Sequence, residues 1–186
     1  MIFYSDEIIN KMIDTSDVNT LLEEIEQFMH NVRYVITKYS IYTISHHYSN
    51  AALSNRDNVI AFYCFDDEFS LTNCPSIMIY HKYYDKINNE IIYYVLFTCT
   101  KKGFRNMGYA SKLFDGLKER IVKEKTKRPD LRAKMVLSSV EDAVLFYENY
   151  GFRWTRESLD KHPLLMQYES YHPEKEYFIM EYYVGS

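Results

Sequence analysis

Between Glu90 and Ile121 the hydrophobic pattern changes its period, and that change constrains the fold more than any other feature. Glu90 to Thr100 reads Glu-Ile-Ile-Tyr-Tyr-Val-Leu-Phe-Thr-Cys-Thr, dense in β-branched and aromatic residues, as a buried strand requires. Lys101-Lys102-Gly103-Phe104 interrupts it. Arg105-Asn106-Met107-Gly108-Tyr109-Ala110 then opens a helix whose apolar positions are Ala110, Leu113, Phe114, Leu117 and Ile121. Spacings of three and four put these on one face against a sheet, leaving Lys112, Asp115, Lys118 and Glu119 towards water.

The junction has a chemistry of its own. The first N–H groups of a helix lack internal partners, and the helix dipole adds partial positive charge there. Such an end suits an anion, phosphate above all. Gly108 lets the backbone come close to a ligand, and Ala110 keeps the next approach open. Arg105 can add bidentate charge, and Lys101 and Lys102 raise the local potential. Spacing alone thus defines a phosphate-binding strand–loop–helix. It is not a P-loop, because no Gly-x4-Gly-Lys-Ser/Thr string occurs. Nor does it carry the three glycines of the dinucleotide fingerprint.

Composition narrows the class. A chain of 186 residues suits one domain, spanning 1–186, with a core of useful size. Only 5 Gly and 4 Pro, against 19 Tyr and 11 Phe, exclude a low-complexity chain. A net charge of −4 gives no general footprint for nucleic acid. Cys64, Cys74 and Cys99 are odd in number and lack CxxC spacing, so they read as reduced thiols. Cys99 reads as a buried small hydrophobe rather than a nucleophile. No signal-peptide pattern and no apolar run of the ~20 residues that span a bilayer occur, so the expected setting is cytoplasmic, without membrane. The histidines show no metal-ligand spacing, His46 and His47 included, so no metal is expected.

Along the chain, Ile2-Phe3-Tyr4 reads as a short edge strand or a capping segment. Val18, Leu21, Leu22, Ile25, Phe28 and Met29 predict a helix over about Ser16 to His30, capped by Thr15 or Ser16. Tyr34, Ile36, Ile41, Tyr42 and Ile44 are β-formers of unclear period. Strands are expected at Val59–Phe65 and Ser76–Tyr83, forming an antiparallel meander with the central strand. After the long helix and a basic break containing Pro129, Ala133–Ser138 reads as a strand parallel to the central one. Ser139-Val140-Glu141-Asp142 has a capping-box pattern, opening a short helix that stops at Gly151. Phe152–Thr155 and Glu176–Val184 complete the strands, with Ser158 to Pro173 as a polar loop.

Two of these stretches together resemble a known family. Arg105-Asn106-Met107-Gly108-Tyr109-Ala110 is similar to the Gln/Arg-x-x-Gly-x-Gly/Ala pyrophosphate motif of the GCN5-related N-acetyltransferases, the GNAT superfamily. Ala143-Val144-Leu145-Phe146-Tyr147-Glu148-Asn149-Tyr150-Gly151-Phe152 resembles the family's Ala-x-x-x-Tyr-Glu-x-x-Gly-Phe helix and turn. The two stand in the family's order and at a family-like separation. The resemblance implies an α/β domain whose central, mixed but mostly antiparallel sheet is flanked by helices.

It also implies chemistry. Acetyl-CoA would be the co-substrate, with a primary amine of a small molecule or a protein as acceptor; another acyl-CoA as donor stays open. Thr98, Cys99 and Thr100 would face the pantetheine arm. Arg105, Asn106, Met107, Gly108, Tyr109, Ala110 and Ser111 would wrap the pyrophosphate. Tyr147 would stand near the sulfur as general acid for the leaving thiolate. GNAT domains often pair, so a homodimer is an assembly the resemblance allows. Two departures stand out. Val140 occupies a position where many members carry a cofactor-touching Asn, and Glu90 lies too early in the strand for a glutamate base. These departures keep a second reading open, a non-catalytic acyl-CoA-binding or interaction module.

Overall fold

The computed structural model describes residues 1–40 and 46–185. In chain order the elements are β1 (Ile2–Tyr4), α1 (Ser5–Thr15), α2 (Leu21–Ser40), α3 (His46–Ser54), β2 (Asn58–Tyr63), β3 (Ser76–Asp85) and β4 (Glu90–Thr100). Then come α4 (Tyr109–Lys125), β5 (Arg132–Ser139), α5 (Val144–Tyr150), β6 (Arg153–Trp154), α6 (Pro163–Met166) and β7 (Phe178–Tyr183). The strands make a seven-stranded sheet in the order β1-β2-β3-β4-β5-β7-β6. β1 and β2 are antiparallel, as are β5 with β7 and β6 with β7, whereas β4 and β5 run parallel. The sheet is therefore mixed, and the crossover through α4 carries its parallel pair. Among the described residues no helix is long and apolar enough to cross a membrane.

The chain forms two compact units. One comprises Met1–Ile79 and Phe97–Phe114, the other Tyr80–Leu96 and Asp115–Ser186. In the first, α2 buries Phe28, Val32, Ile36 and Tyr39, a stripe at spacings of four, four and three. Phe28 stands edge-on to Phe62 and Phe69, with centroids 6.1 and 5.9 Å away. The Tyr39 hydroxyl donates to the Cys74 carbonyl at 2.7 Å. Burial, above all, pushes that phenol up to about 12.

This helix differs from the expected Ser16–His30. Asp17 accepts the Asn19 N–H on its carboxylate and the Thr20 and Leu21 N–H groups on its carbonyl, so residues 17–20 turn instead of starting a helix. Val18 and Leu22, assigned to the stripe from sequence, are 87% and 62% exposed. The real stripe continues to Tyr39 because burying one face outweighs the β preference of Tyr34 and Ile36. Thr15 ends α1 rather than capping a helix. Ile41, Tyr42 and Ile44 lie outside the described residues, and so does the side chain of His46.

In the second unit the core is the buried face of α4 (Leu117, Ile121) with Met135, Val136 and Leu137 of β5 and Ile179 and Met180 of β7. Tyr93 donates to Glu124 of α4 at 2.6 Å, and Lys82 pairs with the same carboxylate. The parallel ladder runs from Glu90↔Arg132 to Tyr94↔Val136. At its start the buried Glu90 reaches Lys134 at 3.3 Å, and Lys134 also meets Glu181 at 3.6 Å.

Two local expectations fail here. Ser139 is not a helix cap: its hydroxyl donates to the Val140 carbonyl, and a single tight turn over Glu141–Ala143 precedes α5. The stretch Ser158–Pro173 is not simply a polar loop. It folds as a turn over Leu159–Lys161 and then α6, burying Leu159, His162 and Leu165. Three apolar or amphipathic residues at spacings of three suffice to anchor it, a signal short enough to pass for loop.

Candidate active site

The strand–loop–helix lies within the first unit. Beyond Thr100 the chain makes one tight turn, Lys102–Phe104, tied by Phe104 N–H to the Lys101 carbonyl and by Lys101 N–H to the Pro75 carbonyl. Asn106 (φ 61°) and Gly108 (φ 80°) both adopt left-handed backbone. A Cβ added at Gly108 would meet nothing within 4 Å. The glycine therefore answers to backbone conformation and to the open approach, not to packing. Helix α4 itself begins at Tyr109, later than expected. Its first i→i−4 bond joins Lys112 N–H to the Gly108 carbonyl at 3.1 Å, so the N–H groups of Tyr109, Ala110 and Ser111 precede the helical ladder. Asn106 and Met107 are exposed beside them.

Arg105 acts as a brace for this loop. Its Nε donates to the Thr100 carbonyl at 3.2 Å and its Nη2 to the Tyr39 carbonyl at 3.3 Å. The sequence reading has Arg105 adding charge beside the N–H groups of the loop; in the structure two of its nitrogens also hold that loop in place. Tyr109 stacks on Tyr63 with centroids 5.2 Å apart, and Lys112 donates to the Tyr63 hydroxyl at 3.1 Å. That bond, first of all, holds the Lys112 ammonium above the ordinary lysine range. The strand end is partly committed already. Ser76 Oγ donates to the Cys99 carbonyl at 3.0 Å and lies 2.9 Å from Thr100 Oγ1. Burial pushes the Cys99 thiol well above the usual thiol range, as a buried hydrophobe rather than a nucleophile. The half-buried Thr98 keeps an enclosed Oγ1 with no hydrogen-bond partner.

In the second unit, β4 and β5 part. Their last paired residues are Tyr94 and Val136, although within this unit β5 continues to Ser139 and β4 to Leu96. On its far side β5 stays paired throughout, with Leu137, Ser138 and Ser139 opposite Met180, Ile179 and Phe178 of β7. Beyond that pair the two strands share no further ladder pairs among the described residues.

Beside the last pair lies a constellation that sequence reasoning missed. His162 is buried, its ring 6.0 Å from that of Tyr94. Its Nε2 lies 2.8 Å from Glu157 Oε2, while its enclosed Nδ1 has no hydrogen-bond partner. Burial pushes the Tyr94 phenol up to about 12. No motif marks His162, and only its position before Pro163 distinguished it. Glu90, by contrast, is committed to Lys134 at the opposite end of the ladder.

Tyr147 sits in α5, edge-on to Phe146 and Phe152 with centroids at 5.1 and 5.6 Å. Burial raises its phenol to about 12. Gly151 ends α5 in left-handed conformation (φ 115°), its N–H bonded to the Tyr147 and Glu148 carbonyls. A Cβ there would stand 3.1 Å from the Tyr182 ring. Val140, where the family's Asn would stand, is 64% exposed.

The mixed seven-stranded sheet with its flanking helices matches the acyl-CoA N-acyltransferase fold. The chain has the fold of the GCN5-related N-acetyltransferases. It is similar in structure to Tetrahymena GCN5, with TM-score 0.56 and 11% identity over 86% of this chain and 88% of that one. It is also similar to a Lactobacillus plantarum protein provisionally assigned as an N-acetyltransferase (TM-score 0.58, 14% identity, 99% and 97% covered). Arabidopsis thaliana NAA60, solved with acetyl-CoA, matches with TM-score 0.54 and 11% identity over 85% and 94%. No family model and no curated protein matches the sequence.

Proposed function

We propose that this chain is an N-acetyltransferase that moves an acetyl group from acetyl-CoA directly to a primary amine. The observation that carries this reading is the parting of β4 from β5 after Tyr94↔Val136, on the strand that runs straight into the phosphate-binding loop. Backbone groups of the parted strand, up to Thr98, Cys99 and Thr100, would take the pantetheine amides. The N–H groups of residues 105–111 would take the pyrophosphate, with Arg105 bracing them.

Two side chains would handle protons. The attacking amine must be neutral, and the oxyanion of the tetrahedral intermediate needs donors such as backbone N–H groups. His162 is the base that suits: Glu157 holds Nε2 and leaves Nδ1 to accept, directly or through a water. Tyr147 would donate to the departing sulfur. Burial raises its phenol above the range of a free thiol, near ~8.5, so full proton transfer in the ground state is uphill. Tyr147 therefore serves best as a hydrogen-bond donor that stabilises the nascent thiolate, whose own pKa the same dry surroundings raise.

Calorimetry of acetyl-CoA, CoA and ATP against the protein and against Gly108→Val tests the site. The variant forces a β-branched residue into left-handed backbone. Binding of the two CoA species but not ATP, lost in the variant, is expected; no CoA binding by the folded wild type would overturn the proposal. The exposed Val140 favours one other reading, a CoA-binding module without transfer. Such a protein would pass the calorimetry and acetylate no amine in a panel of peptides, polyamines and aminoglycosides.

A further inference from the structure

The hairpin between β2 and β3 places two thiols opposite each other. Phe65 N–H donates to the Asn73 carbonyl at 3.0 Å, which sets an antiparallel register in which Cys64 faces Cys74. The Cys64 N–H points the other way, to the Met1 carbonyl at 2.9 Å, and the Met1 amine returns a bond to the Cys64 carbonyl at 2.6 Å. Cys64 and Cys74 thus form a non-hydrogen-bonded cross-strand pair, the position at which facing side chains come closest, with Cα atoms ~4.5 Å apart. That separation falls within the range that a disulfide spans. The two thiols are near enough to shift each other's ionisation. Carbonyls orient both, Cys64 Sγ lying 3.6 Å from Ser70 O and Cys74 Sγ 3.4 Å from Ser76 O.

The two are unequal. The neighbouring Cys74 lowers the Cys64 thiol, while Cys64 and burial push Cys74 well above the thiol range. Cys64 is therefore the better nucleophile of the two, and Cys74 the one that keeps its proton. Both are sealed from solvent, and the Cys64 backbone is paired with Met1, which leads into the three-residue edge strand β1. A short edge strand opens at small cost, which admits a small oxidant.

We infer that Cys64 and Cys74 are a paired oxidation site, a dithiol that a peroxide closes to an intrachain disulfide. The Cys64 thiolate attacks one peroxide oxygen, forming a sulfenic acid and, with a proton, releasing water. Cys74 sulfur then attacks the Cys64 sulfur, the sulfenic hydroxyl leaves as a second water, and its departure takes up the Cys74 proton. One peroxide is reduced and two thiols are oxidised, and a small dithiol reductant reverses the change. Cys99 is not a partner in this pair; its thiol faces the Ile77 backbone.

The test treats the folded protein with hydrogen peroxide, blocks remaining thiols with N-ethylmaleimide and measures intact mass. Cleavage at the exposed Asp66, Asp67 or Glu68, which lie between the two cysteines, follows. A loss of two hydrogens is expected, with the fragments on either side staying joined until dithiothreitol is added. The Cys99→Ala variant should behave the same way. Cys64→Ser and Cys74→Ser should yield no intrachain link, and circular dichroism confirms that each is folded. Full alkylation after peroxide, over-oxidation of single cysteines, or a link through Cys99 would each overturn the inference.

Discussion

Removing Lys134 is a sharp test of how the parallel pair is held. Glu90 is 4% exposed, its Oε2 is 3.3 Å from Lys134 Nζ, and its Oε1 has no partner. In Lys134→Met the carboxylate loses its cation, while Glu181 keeps Arg153 at 3.4 Å. Breaking a buried pair on one side costs ~3–5 kcal/mol. An escape route caps the loss: the stranded carboxylate can take up a proton. At pH 7, neutralising a glutamate with an unfolded value near ~4.3 costs about 3.7 kcal/mol. At pH 5 the same step costs about 1 kcal/mol. The expected destabilisation is therefore roughly 3–4 kcal/mol at pH 7, falling to ~1 kcal/mol at pH 5. For a chain of this size that is roughly 7–15 °C in melting temperature at neutral pH. Urea unfolding followed by circular dichroism at both pH values reads it directly. Adding Glu90→Leu should recover most of the loss, because an apolar pair needs no counter-charge. A loss below ~1 kcal/mol at pH 7, or one that does not shrink towards pH 5, would refute the reasoning.

Other outcomes follow from the same geometry. In the wild type, burial works against the Lys134 charge, but Glu90, Tyr183 and Glu181 outweigh it and hold the ammonium above the ordinary lysine value. Its contribution to stability is thus complete below the unfolded lysine value of ~10.4 and is lost as pH rises through the folded one, which alkaline unfolding curves compared with Lys134→Met will reveal. Tyr147→Phe should lower kcat by ~10²-fold with CoA affinity within about twofold, and an unchanged rate removes its role. His162→Gln should lower kcat by ~10²-fold at neutral pH and leave CoA affinity unaltered, with Glu90→Gln, which is not a base, retaining the wild-type rate per folded molecule. Gly151→Ala combines left-handed backbone with a methyl 3.1 Å from Tyr182, so a loss of about 2 kcal/mol is expected in urea melts.

Much of the frame was legible because it rests on local periodicity. The β4 boundaries expected from sequence agree with the structure, and the apolar positions of α4 from Leu113 to Ile121 are fully buried. Gly151 ends its helix as a left-handed glycine should. The failures share a cause: a competing interaction overruled the local rule that was applied. Asp17 wrote a turn where a helix start was expected, and Tyr34 and Ile36 joined a helix because α2 buries a longer face. Arg105 also braces its loop on the Tyr39 carbonyl, sixty-six residues away, a contact that no spacing rule encodes.

The same cause hid the centre of the candidate site. Residues 94 to 100 read as continuous strand, and they are strand; nothing in their types says where the neighbouring strand leaves them. The parting depends on β5 following β7 in preference to β4, through six consecutive pairs from Lys134↔Tyr183 to Ser139↔Phe178. The Glu90–Lys134 pair adds to the five ladder pairs that join the two strands at their other end. His162 reaches Tyr94 because Leu159 and Leu165, three residues to either side, are buried and fix the turn that carries it. A sequence can specify each of these anchors and still not display the gap they create, because a gap is a relation between strands and belongs to none of them. That is why the loop that would hold phosphate was readable from its residues, whereas the place where acyl transfer would occur had to be seen.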